Sequence, residues 1–422
     1  MNINELYNIF LHSAGVNTDT RTLAENQVFV ALKGENFDGN AFALQALEAG
    51  ALCAVVDKSV QETDPRLVKV DDTLETLQAL AAFHRTKLAI PVIGLTGTNG
   101  KTTTKELIRT VLSAKYTVAA TEGNLNNDIG VPLTVLRIGG DAQIAIVEMG
   151  ASHPEDLKPL LAVAQPTHGL ITNVGKAHLL GFGSFEGVKH AKGLLYDYLK
   201  ETGGFAFANA DDSTLQEMLW DRNLPMVPYG MDGVEVLPSS PEEPFLRLRW
   251  ADGRTLETHL VGAYNAANVL AALRIGWFFG VPEDQAMAAV SSYVPSNNRS
   301  QLVKTEKNTV IVDAYNANPS SMAVALENLR HAEGRRVALL GEMRELGADS
   351  AAEHRKVVES LADMEAYLVG DEFVRAAAGT GLKTFATSDQ LAAYLVEHPL
   401  QGATVLVKGS RGTRMEKVIP SL

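Results

Sequence analysis

Apolar and polar positions in the middle of the chain repeat one pattern, in which a short apolar run is followed by a loop and then by a segment with helical periodicity. Apolar runs at 90–95, 143–149 and 169–173 predict strands, and residues 101–113 predict an intervening helix. Strands that alternate with helices are typical of a mainly parallel sheet covered by helices. Residues 88–297 are therefore predicted to form a mainly parallel α/β domain.

The segments on either side of this domain are also predicted to be α/β. Residues 1–87 mix short strand-like runs with helix-like ones, which predicts a small α/β domain. After a linker at 295–298, further strands and helices alternate, so residues 298–422 are predicted to form a Rossmann-like, doubly wound domain. The strands predicted there are 309–313, 336–340, 366–369 and 403–407.

One part of the central domain has a different pattern of apolar and polar residues. Residues 245–250 and 255–260 alternate between apolar and polar positions, and Asp252 and Gly253 between them are a hairpin signal. We expect an antiparallel appendage here, followed by helices at 265–279 and 282–293. The predicted fold class is thus α/β in three domains.

Composition and charge narrow the functional classes. The 422 residues carry 37 Lys and Arg against 50 Asp and Glu, a net charge of −13, which argues against broad nucleic-acid binding. The single cysteine, Cys53, excludes a disulfide framework and a cysteine metal site, and its apolar surroundings predict a core position. The sequence shows neither a signal-peptide pattern nor an apolar run near the ~20 residues of a membrane span, so a cytoplasmic location is expected.

The strongest chemical signal is the sequence GLTGTNGKT at residues 94–102, between a predicted strand and a predicted helix. Small residues let backbone N–H groups surround phosphates, and the helix N-terminus favours anions. Lys101 would reach the terminal phosphate oxygens, and Thr102 would bind Mg²⁺. Leu95 stands where the strict phosphate-loop pattern has glycine. The segment predicts a P-loop ATPase-type domain that binds ATP or GTP.

Other candidate residues follow the predicted strands. Glu148 ends the strand at 143–149, where a carboxylate facing the crevice suits Mg²⁺. His178 also follows a strand end, although a lone histidine is more often structural. Lys189 and Lys192 lie on a predicted helix, and either alone is more often a surface charge. Residue types and spacing therefore predict a nucleotide-dependent enzyme and leave its substrate open.

Five motifs together resemble the Mur ligase family, over nearly the whole chain. TGTNGKTT at 96–103 is shared by all Mur ligases and by folylpolyglutamate synthetases. The other four resemble the members that act on D-alanyl-D-alanine: GNLNNDIGVP at 123–132, DAYNANPSSM at 313–322, GEMRELG at 341–347 and LVKGSRGTRME at 406–416.

The resemblance implies an ATP- and Mg²⁺-dependent ligase that joins D-Ala-D-Ala to UDP-MurNAc-tripeptide through an acyl phosphate. The products would be UDP-MurNAc-pentapeptide, ADP and phosphate, in cytoplasmic peptidoglycan synthesis and hence in cell wall biogenesis, cell shape and cell division. It also implies a monomer. The acidic charge and the lack of a long apolar run lead us to expect no nucleic-acid partner and no membrane insertion. The third residue of the tripeptide stays undetermined.

The resemblance also implies roles for individual residues around the nucleotide. Lys101, His178 and Lys192 would be catalytic, and Lys192 would carry a carbamate, as N6-carboxylysine. The nucleotide would be bound by Gly97, Thr98, Asn99, Gly100, Lys101, Thr102, Thr103, Asn265, Asn268, Arg299 and Asp313. Magnesium would be bound by Thr102, Glu148, His178 and the carbamylated Lys192.

Two further groups of residues would bind the substrates. The UDP part would lie against Thr18, Asp19, Thr20, Arg21, Lys33, Phe37, Asp38 and Gly39. The peptide parts would lie against Asn124, Asn126, Asn127, Tyr315, Asn316, Asn318, Lys408, Ser410 and Arg411. Because Arg299 and Asp313 follow the linker, we expect the site to assemble when residues 298–422 rotate onto the central domain.

Two alternatives remain at this point. One is another Mur-type amino-acid ligase or a folylpolyglutamate synthetase. The Asp-Asn-Pro-Arg-type motif of the meso-diaminopimelate-adding enzyme is absent, and YNANP at 315–319 stands in that region. The other is an ATP-dependent regulatory switch, which would hydrolyse ATP without any amine acceptor.

Overall fold

Three mainly parallel sheets organise the described part of the chain, one in each predicted domain. The computed structural model describes residues 2–34, 36–58, 60–61, 63–240, 243–296 and 299–422. Asn297 and Asn298 of the predicted linker lie outside these described residues. The three-domain α/β class is confirmed, while the domain limits of 1–87, 88–297 and 298–422 stay a prediction.

The N-terminal domain is built on a small parallel sheet. Its elements are α1 (Ile3–Leu11), β1 (Val16–Asn17), β2 (Val28–Val30), β3 (Lys33–Gly34), β4 (Phe37–Asp38), α2 (Ala43–Glu48), β5 (Cys53–Asp57), β6 (Leu67–Val70) and α3 (Thr73–Thr86). The sheet has the order β1-β2-β5-β6, and β3 and β4 form a separate antiparallel hairpin. Cys53 is buried as predicted, and burial raises the pKa of its thiol to about 11.

The central domain contains the larger parallel sheet. Its elements are β7 (Val92–Thr96), α4 (Lys101–Leu112), β8 (Val118–Ala120), α5 (Gly130–Leu136), β9 (Ile144–Glu148), α6 (Leu157–Ala164), β10 (His168–Ile171), α7 (Leu179–Phe182), α8 (Phe185–Thr202), β11 (Phe205–Asn209), α9 (Ser213–Trp220) and β12 (Met226–Tyr229). The order is β12-β11-β10-β7-β9-β8. Both faces of β7 and β9 are buried, as expected for parallel strands that helices cover.

The predicted antiparallel appendage is present beside this sheet. It consists of β13 (Val234–Val236), β14 (Arg247–Trp250) and β15 (Thr255–Glu257), and it is followed by α10 (Ala266–Phe278) and α11 (Glu283–Ser292). Apolar residues of α10, α11 and α4 share one hydrophobic core. The appendage therefore leads the chain into two helices that pack beside the predicted phosphate loop.

The C-terminal domain is doubly wound, with one antiparallel strand at the edge of its sheet. Its elements are β16 (Gln301–Lys304), β17 (Thr309–Asp313), α12 (Pro319–Arg330), β18 (Arg335–Gly341), α13 (Ser350–Glu359), β19 (Glu365–Val369), α14 (Asp371–Ala376), β20 (Lys383–Phe385), α15 (Ser388–Glu397) and β21 (Ala403–Lys408). The order is β16-β17-β21-β18-β19-β20, with β16 antiparallel to β17. The predicted strand 309–313 is present as β17, but it is not the first strand of this domain as the predicted strands implied, because the short β16 precedes it.

The N-terminal and central domains share a continuous core. Residues from α1, α3, α5, α6 and α8 belong to one cluster of buried apolar side chains. Arg85 at the end of α3 reinforces the junction by donating to the carbonyls of Ala164 (3.1 Å), Leu88 (2.7 Å) and Gln165 (3.1 Å). The first two domains are therefore packed together through apolar side chains and a buried guanidinium.

No helix among the described residues is both long enough and apolar enough to cross a membrane.

Candidate functional site

The cleft between the central and C-terminal domains collects most of the predicted site residues. It has a volume of about 880 Å³ and lies at the carboxyl ends of β7, β9 and β10. The predicted residues that line it are Thr98, Asn99, Gly100, Lys101, Thr103, Asn124, Asn126, Asn127, Glu148, His178, Asn265, Asn268, Arg299, Asp313, Tyr315, Asn316, Asn318 and Lys408. Residues far apart in sequence thus meet at one edge of the central sheet, where ligands bind in open α/β sheets.

The phosphate loop between β7 and α4 has a shape that requires glycine. Gly97 has a φ of +144°, and a Cβ there would lie 2.0 Å from Thr172 Oγ1. Gly100 has a φ of +79° directly before α4. The loop is held by the end of β10, since Thr172 Oγ1 donates to Asn99 O (2.7 Å) and the Asn99 N–H donates to Asn173 Oδ1 (3.0 Å). This arrangement leaves the N-terminus of α4 facing the cleft.

Lys101 lies inside this loop. Its Nζ donates to the carbonyl oxygens of Gly97 (2.8 Å) and Thr98 (3.2 Å). Burial lowers the pKa of Lys101, the charge of Glu148 opposes that change, and the charge of Arg299 adds to it. A half-buried ammonium at the N-terminus of a helix is suited to binding the terminal phosphates of a nucleotide.

Glu148 at the end of β9 forms the acidic side of the same site. The carboxylate is buried, and it accepts from Thr102 Oγ1 (3.0 Å) and from Asn126 Nδ2 (2.9 Å). The backbone N–H of Glu148 donates to Thr121 Oγ1 (2.9 Å), which fixes the strand end. Thr102 itself lies next to the cleft rather than among the residues that line it.

The oxygen donors of Thr102 and Glu148 fit magnesium. Mg²⁺ commonly takes one or two protein carboxylates and completes its shell with phosphate oxygens and water. Within the described ranges, no group of three or more His, Cys, Asp or Glu side chains is placed to hold a metal ion by itself. The donor set therefore suits a magnesium ion that arrives with a nucleotide.

His178 lies in the loop between β10 and α7 and points towards the C-terminal domain. Its Nδ1 donates to a carboxylate oxygen of Glu345, and its φ of +50° is in the left-handed region. Burial lowers the pKa of His178, an effect that Glu345 opposes and that the charges of Lys101 and Lys192 reinforce. The imidazole is thus held near the two lysines, and its Nε2 takes no part in the hydrogen bond to Glu345.

Lys192 on α8 lies behind the wall of the cleft. It is only 2% exposed, its Nζ is 3.4 Å from Ala151 O, and its ammonium lies 5.5 Å from the centre of the Phe182 ring. Burial lowers the pKa of Lys192 well below its usual value, and the charge of Lys101 adds to the effect. The amine is consequently unprotonated more readily than that of a surface lysine.

Two asparagines at the start of α10 and a threonine of α4 form a hydrogen-bonded series. Asn265 Nδ2 donates to Val261 O (2.9 Å), and Asn268 Nδ2 donates to Asn265 Oδ1 (2.9 Å). Thr104 Oγ1 on α4 donates to Asn268 Oδ1 (3.0 Å). These bonds fix both predicted asparagines beside the phosphate loop.

Arg299 and Asn318 bring the C-terminal domain to the nucleotide side of the cleft. The Arg299 guanidinium stacks 3.6 Å from the centre of the Tyr315 ring, and Arg411 lies 5.4 Å from the same centre. Asn318 caps α12 and donates from Nδ2 to Asn99 Oδ1 (2.8 Å) in the phosphate loop. The C-terminal domain is therefore in direct contact with the loop.

Lys408 has a partner that the sequence did not reveal. Its Nζ lies 2.5 Å from Asp313 Oδ2 and donates to Asn316 O (3.2 Å), and its side chain is 2% exposed. Asp313 and Lys408 are register partners on the neighbouring strands β17 and β21. Lys408 thus neutralises Asp313 and holds the start of the 313–318 segment, in addition to lining the cleft.

The remaining predicted residues do not line this cleft in the described structure. Ser410 is buried under Ala317 and Arg344, and Gly97 and Lys192 lie just behind the cleft wall. The N-terminal set is elsewhere: Thr18, Asp19, Thr20, Arg21, Lys33, Phe37, Asp38 and Gly39. Within that set Arg21 pairs with Asp19 at 2.6 Å, and Lys33 pairs with Asp57 at 2.6 Å.

Comparison with known proteins identifies the family. Residues 12–85 match the catalytic domain of the Mur ligase family, residues 95–276 match the Mur ligase middle domain, and residues 298–411 match the Mur ligase glutamate ligase domain. The UDP-N-acetylmuramoyl-tripeptide–D-alanyl-D-alanine ligase of Bacillus subtilis (strain 168) is 34% identical over 429 residues, covering 97% of this chain and 93% of that protein. The chain belongs to the Mur ligase family.

Solved structures of Mur ligases agree with this assignment. A crystal structure of MurF from Acinetobacter baumannii superposes with a TM-score of 0.86 at 30% identity, covering 96% of this chain and 92% of that one. MurF ligase from Thermotoga maritima in complex with ADP superposes with a TM-score of 0.87 at 27% identity, covering 98% and 97%. The resemblance to the Mur ligases that act on D-alanyl-D-alanine is confirmed.

Sequence reasoning missed several side chains of this Mur ligase site. Thr172 and Asn173 brace the phosphate loop, and their position at the end of the predicted strand 169–173, at the same sheet edge, was a usable signal. Glu345 lies within the motif at 341–347, but no local pattern assigned it a partner. Its contact with His178 joins two loops 167 residues apart.

We predict that Glu148→Gln will weaken Mg²⁺-dependent nucleotide binding about 10- to 100-fold, because the amide keeps the shape of the side chain but loses the charge. Calorimetric titration with an ATP analogue, with and without Mg²⁺, measures the effect. Glu122→Gln is the matched control, since Glu122 is 75% exposed and pairs with Arg137. Equal Mg²⁺-dependent affinity in the two variants would contradict the metal assignment.

Proposed function

We propose that the protein is an ATP-dependent ligase that joins D-alanyl-D-alanine to the peptide carboxylate of UDP-N-acetylmuramoyl-tripeptide. The observation that carries this proposal is a phosphate-loop cleft, with half-buried Lys101 and buried Glu148, that the C-terminal domain covers through Asn318 and Arg299. Its relative in Bacillus subtilis bears the name of this activity over almost the same length of chain. The reaction belongs to peptidoglycan precursor synthesis.

The chemistry requires two anions to approach each other. In the first step a carboxylate oxygen of the tripeptide attacks the γ-phosphorus of ATP, the bond to the β,γ-bridging oxygen breaks, and ADP leaves. Lys101 and Arg299 reduce the repulsion between carboxylate and triphosphate, because both cations line the cleft in which the two anions would meet. Magnesium, bound through Thr102 and Glu148, would neutralise further phosphate charge.

In the second step the amine of D-Ala-D-Ala attacks the acyl carbonyl, and the C–O bond to phosphate breaks. Polar residues that line the cleft around the phosphate loop are suited to position the two peptides: Asn124, Asn126, Asn127, Tyr315, Asn316 and Asn318. Lys408 contributes by holding Asp313. The protein thus acts mainly by positioning its reactants and neutralising their charge.

The UDP part of the substrate is proposed to bind on the N-terminal domain. The Arg21 side chain is 86% exposed and that of Lys33 is 49% exposed, so both are accessible to a diphosphate. The substrate would then extend from this domain to the cleft.

We further propose that residues 298–422 rotate during the cycle. We also propose that the protein works as a monomer and that it acts in the cytoplasm, where ATP and UDP-linked precursors are found.

Lys192 is proposed to carry a carbamate. Its buried, unprotonated amine would attack the carbon of CO₂, form an N–C bond and lose one proton, which gives N6-carboxylysine. Such a group would replace a neutral amine with an anion near His178, and the carbamate and His178 would both be candidate metal ligands. The direction of the Lys192 pKa and its burial support this proposal.

We predict a carbamate carbon resonance when the protein is equilibrated with ¹³C-bicarbonate, and its absence in Lys192→Ala. The resonance should persist above the lowered pKa of Lys192 and disappear as the pH falls through it, because the protonated amine does not react with CO₂. Activity of Lys192→Ala should fall about 10- to 100-fold and recover in part with acetate or propionate. Lys189→Ala on the same helix is the control and should keep the resonance; a resonance that survives Lys192→Ala would contradict the assignment.

The ligase reaction is tested by phosphate release from Mg·ATP and UDP-MurNAc-tripeptide, with and without D-Ala-D-Ala. We predict release that depends on the dipeptide and a product heavier by one condensed D-Ala-D-Ala. Turnover with a single amino acid instead would point to another Mur-type ligase or a folylpolyglutamate synthetase. ATP hydrolysis that ignores every amine would point to a regulatory switch.

A further inference from the structure

A short segment of the central domain, residues 176–180, forms hydrogen bonds with the C-terminal domain at one corner of the cleft. The Lys176 N–H donates to Ser320 Oγ (3.1 Å), and the Leu180 N–H donates to Glu345 O (3.3 Å). Between these two contacts, His178 Nδ1 donates to the Glu345 carboxylate. Glu345 therefore receives both a backbone and a side-chain hydrogen bond from the loop that carries His178.

The backbone at both ends of the His178–Glu345 contact is in an unusual conformation. His178 has a φ of +50° and Glu345 a φ of +64°, both in the left-handed region that residues with a β-carbon seldom adopt. Such conformations persist where surrounding contacts require them, and they concentrate at functional sites. Here the two residues that adopt them face each other across the domain boundary.

Folding stability does not account for this contact. The Glu345 side chain is 60% exposed and that of His178 is 32% exposed, and an ion pair so accessible to water stabilises a fold little. The hydrogen bond nevertheless orients the imidazole, and this effect does not depend on how far the pair is buried. With Nδ1–H directed at a carboxylate, the tautomer is fixed and the lone pair lies on Nε2.

We propose that Glu345 is a positioning residue, which orients the His178 ring and fixes its Nδ1–H tautomer when the C-terminal domain covers the cleft. This inference rests on the proposed function, in which His178 is a candidate metal ligand beside the nucleotide. It gives a role to the motif at 341–347 that the ligase chemistry had left without one. His178 would then be ready only when the domain that carries Asn318 is in place.

Steady-state kinetics of the ligase reaction with D-Ala-D-Ala as acceptor provide the first test of the proposal. Glu345→Ala should lower kcat about 10- to 100-fold with little change in the KM for ATP, and Glu345→Gln, which retains an acceptor, should fall between it and the wild type. In the His178→Ala background, Glu345→Ala should have no further effect, since its target is gone. If the loss of kcat in the double variant equals the product of the losses in the two single variants, the proposal is overturned.

Glu353→Gln is the matched control. Glu353 also lies on the C-terminal domain and faces the same central segment, with Lys176 Nζ at 3.7 Å, but its pair does not involve His178. This variant should keep the wild-type kcat within about twofold, because the amide retains the shape of the buried side chain and Glu353 does not contact His178. A loss as large as that of Glu345→Ala would mean that charge at the domain boundary matters in general, and would overturn the specific role of Glu345.

The tautomer itself is measured without turnover. Long-range ¹H–¹⁵N correlation spectra of histidine-labelled protein near pH 8, with the His178 signals assigned by their loss in His178→Gln, should show Nδ1–H in the wild type. In Glu345→Ala the proton should shift to Nε2, and in Glu353→Gln the wild-type pattern should remain. An unchanged His178 tautomer in Glu345→Ala would overturn the proposal. This measurement stands even if the wild type shows no dipeptide-dependent activity, a result that would count against the proposed function alone.

Discussion

The structure depends on gathering positive charge, largely out of water, in a chain with a net charge of −13. Lys101 and Lys408 keep their charge through partners: Lys101 donates to loop carbonyls, and Lys408 is paired with the carboxylate of Asp313. At Lys192, burial instead favours the neutral amine. Buried cations without such arrangements would be costly, and with them they can offset the repulsion between a carboxylate and a triphosphate.

The division into domains follows from the same constraint. The central sheet carries the phosphate loop and Glu148, whereas Arg299 and Asn318 belong to the C-terminal domain. A site completed from two sides admits large anionic reactants while open and excludes water when covered, which strengthens each charge inside it. The N-terminal domain, by contrast, shares a core with the central domain and has Arg85 at their junction, as suits a fixed anchor for one end of a long substrate.

Local pattern was enough to predict the phosphate loop and seven of the parallel strands, β7, β9, β10, β17, β18, β19 and β21, whereas β8, β11 and β12 of the central sheet were missed. Apolar runs such as 143–149 and the Gly-Lys-Thr spacing are properties of neighbouring residues, so the positions of Lys101 and Glu148 could be inferred directly. The edge strands β16 and β20 are short and only partly apolar, and they escaped prediction. The pairing of Lys408 with Asp313 depends on strand register, and the pairing of His178 with Glu345 depends on how two domains pack together. Neither can be inferred from the local pattern of a single sequence.

The central claim is that the tripeptide carboxylate becomes an acyl phosphate in this cleft. The most direct test follows oxygen: UDP-MurNAc-tripeptide labelled with ¹⁸O in its reacting carboxylate is converted with Mg·ATP and D-Ala-D-Ala, and the phosphate released is analysed by mass. One ¹⁸O atom should appear in phosphate for each product formed, because the attacking carboxylate oxygen leaves with the phosphoryl group. Phosphate free of ¹⁸O, alongside a ligated product, would contradict the account.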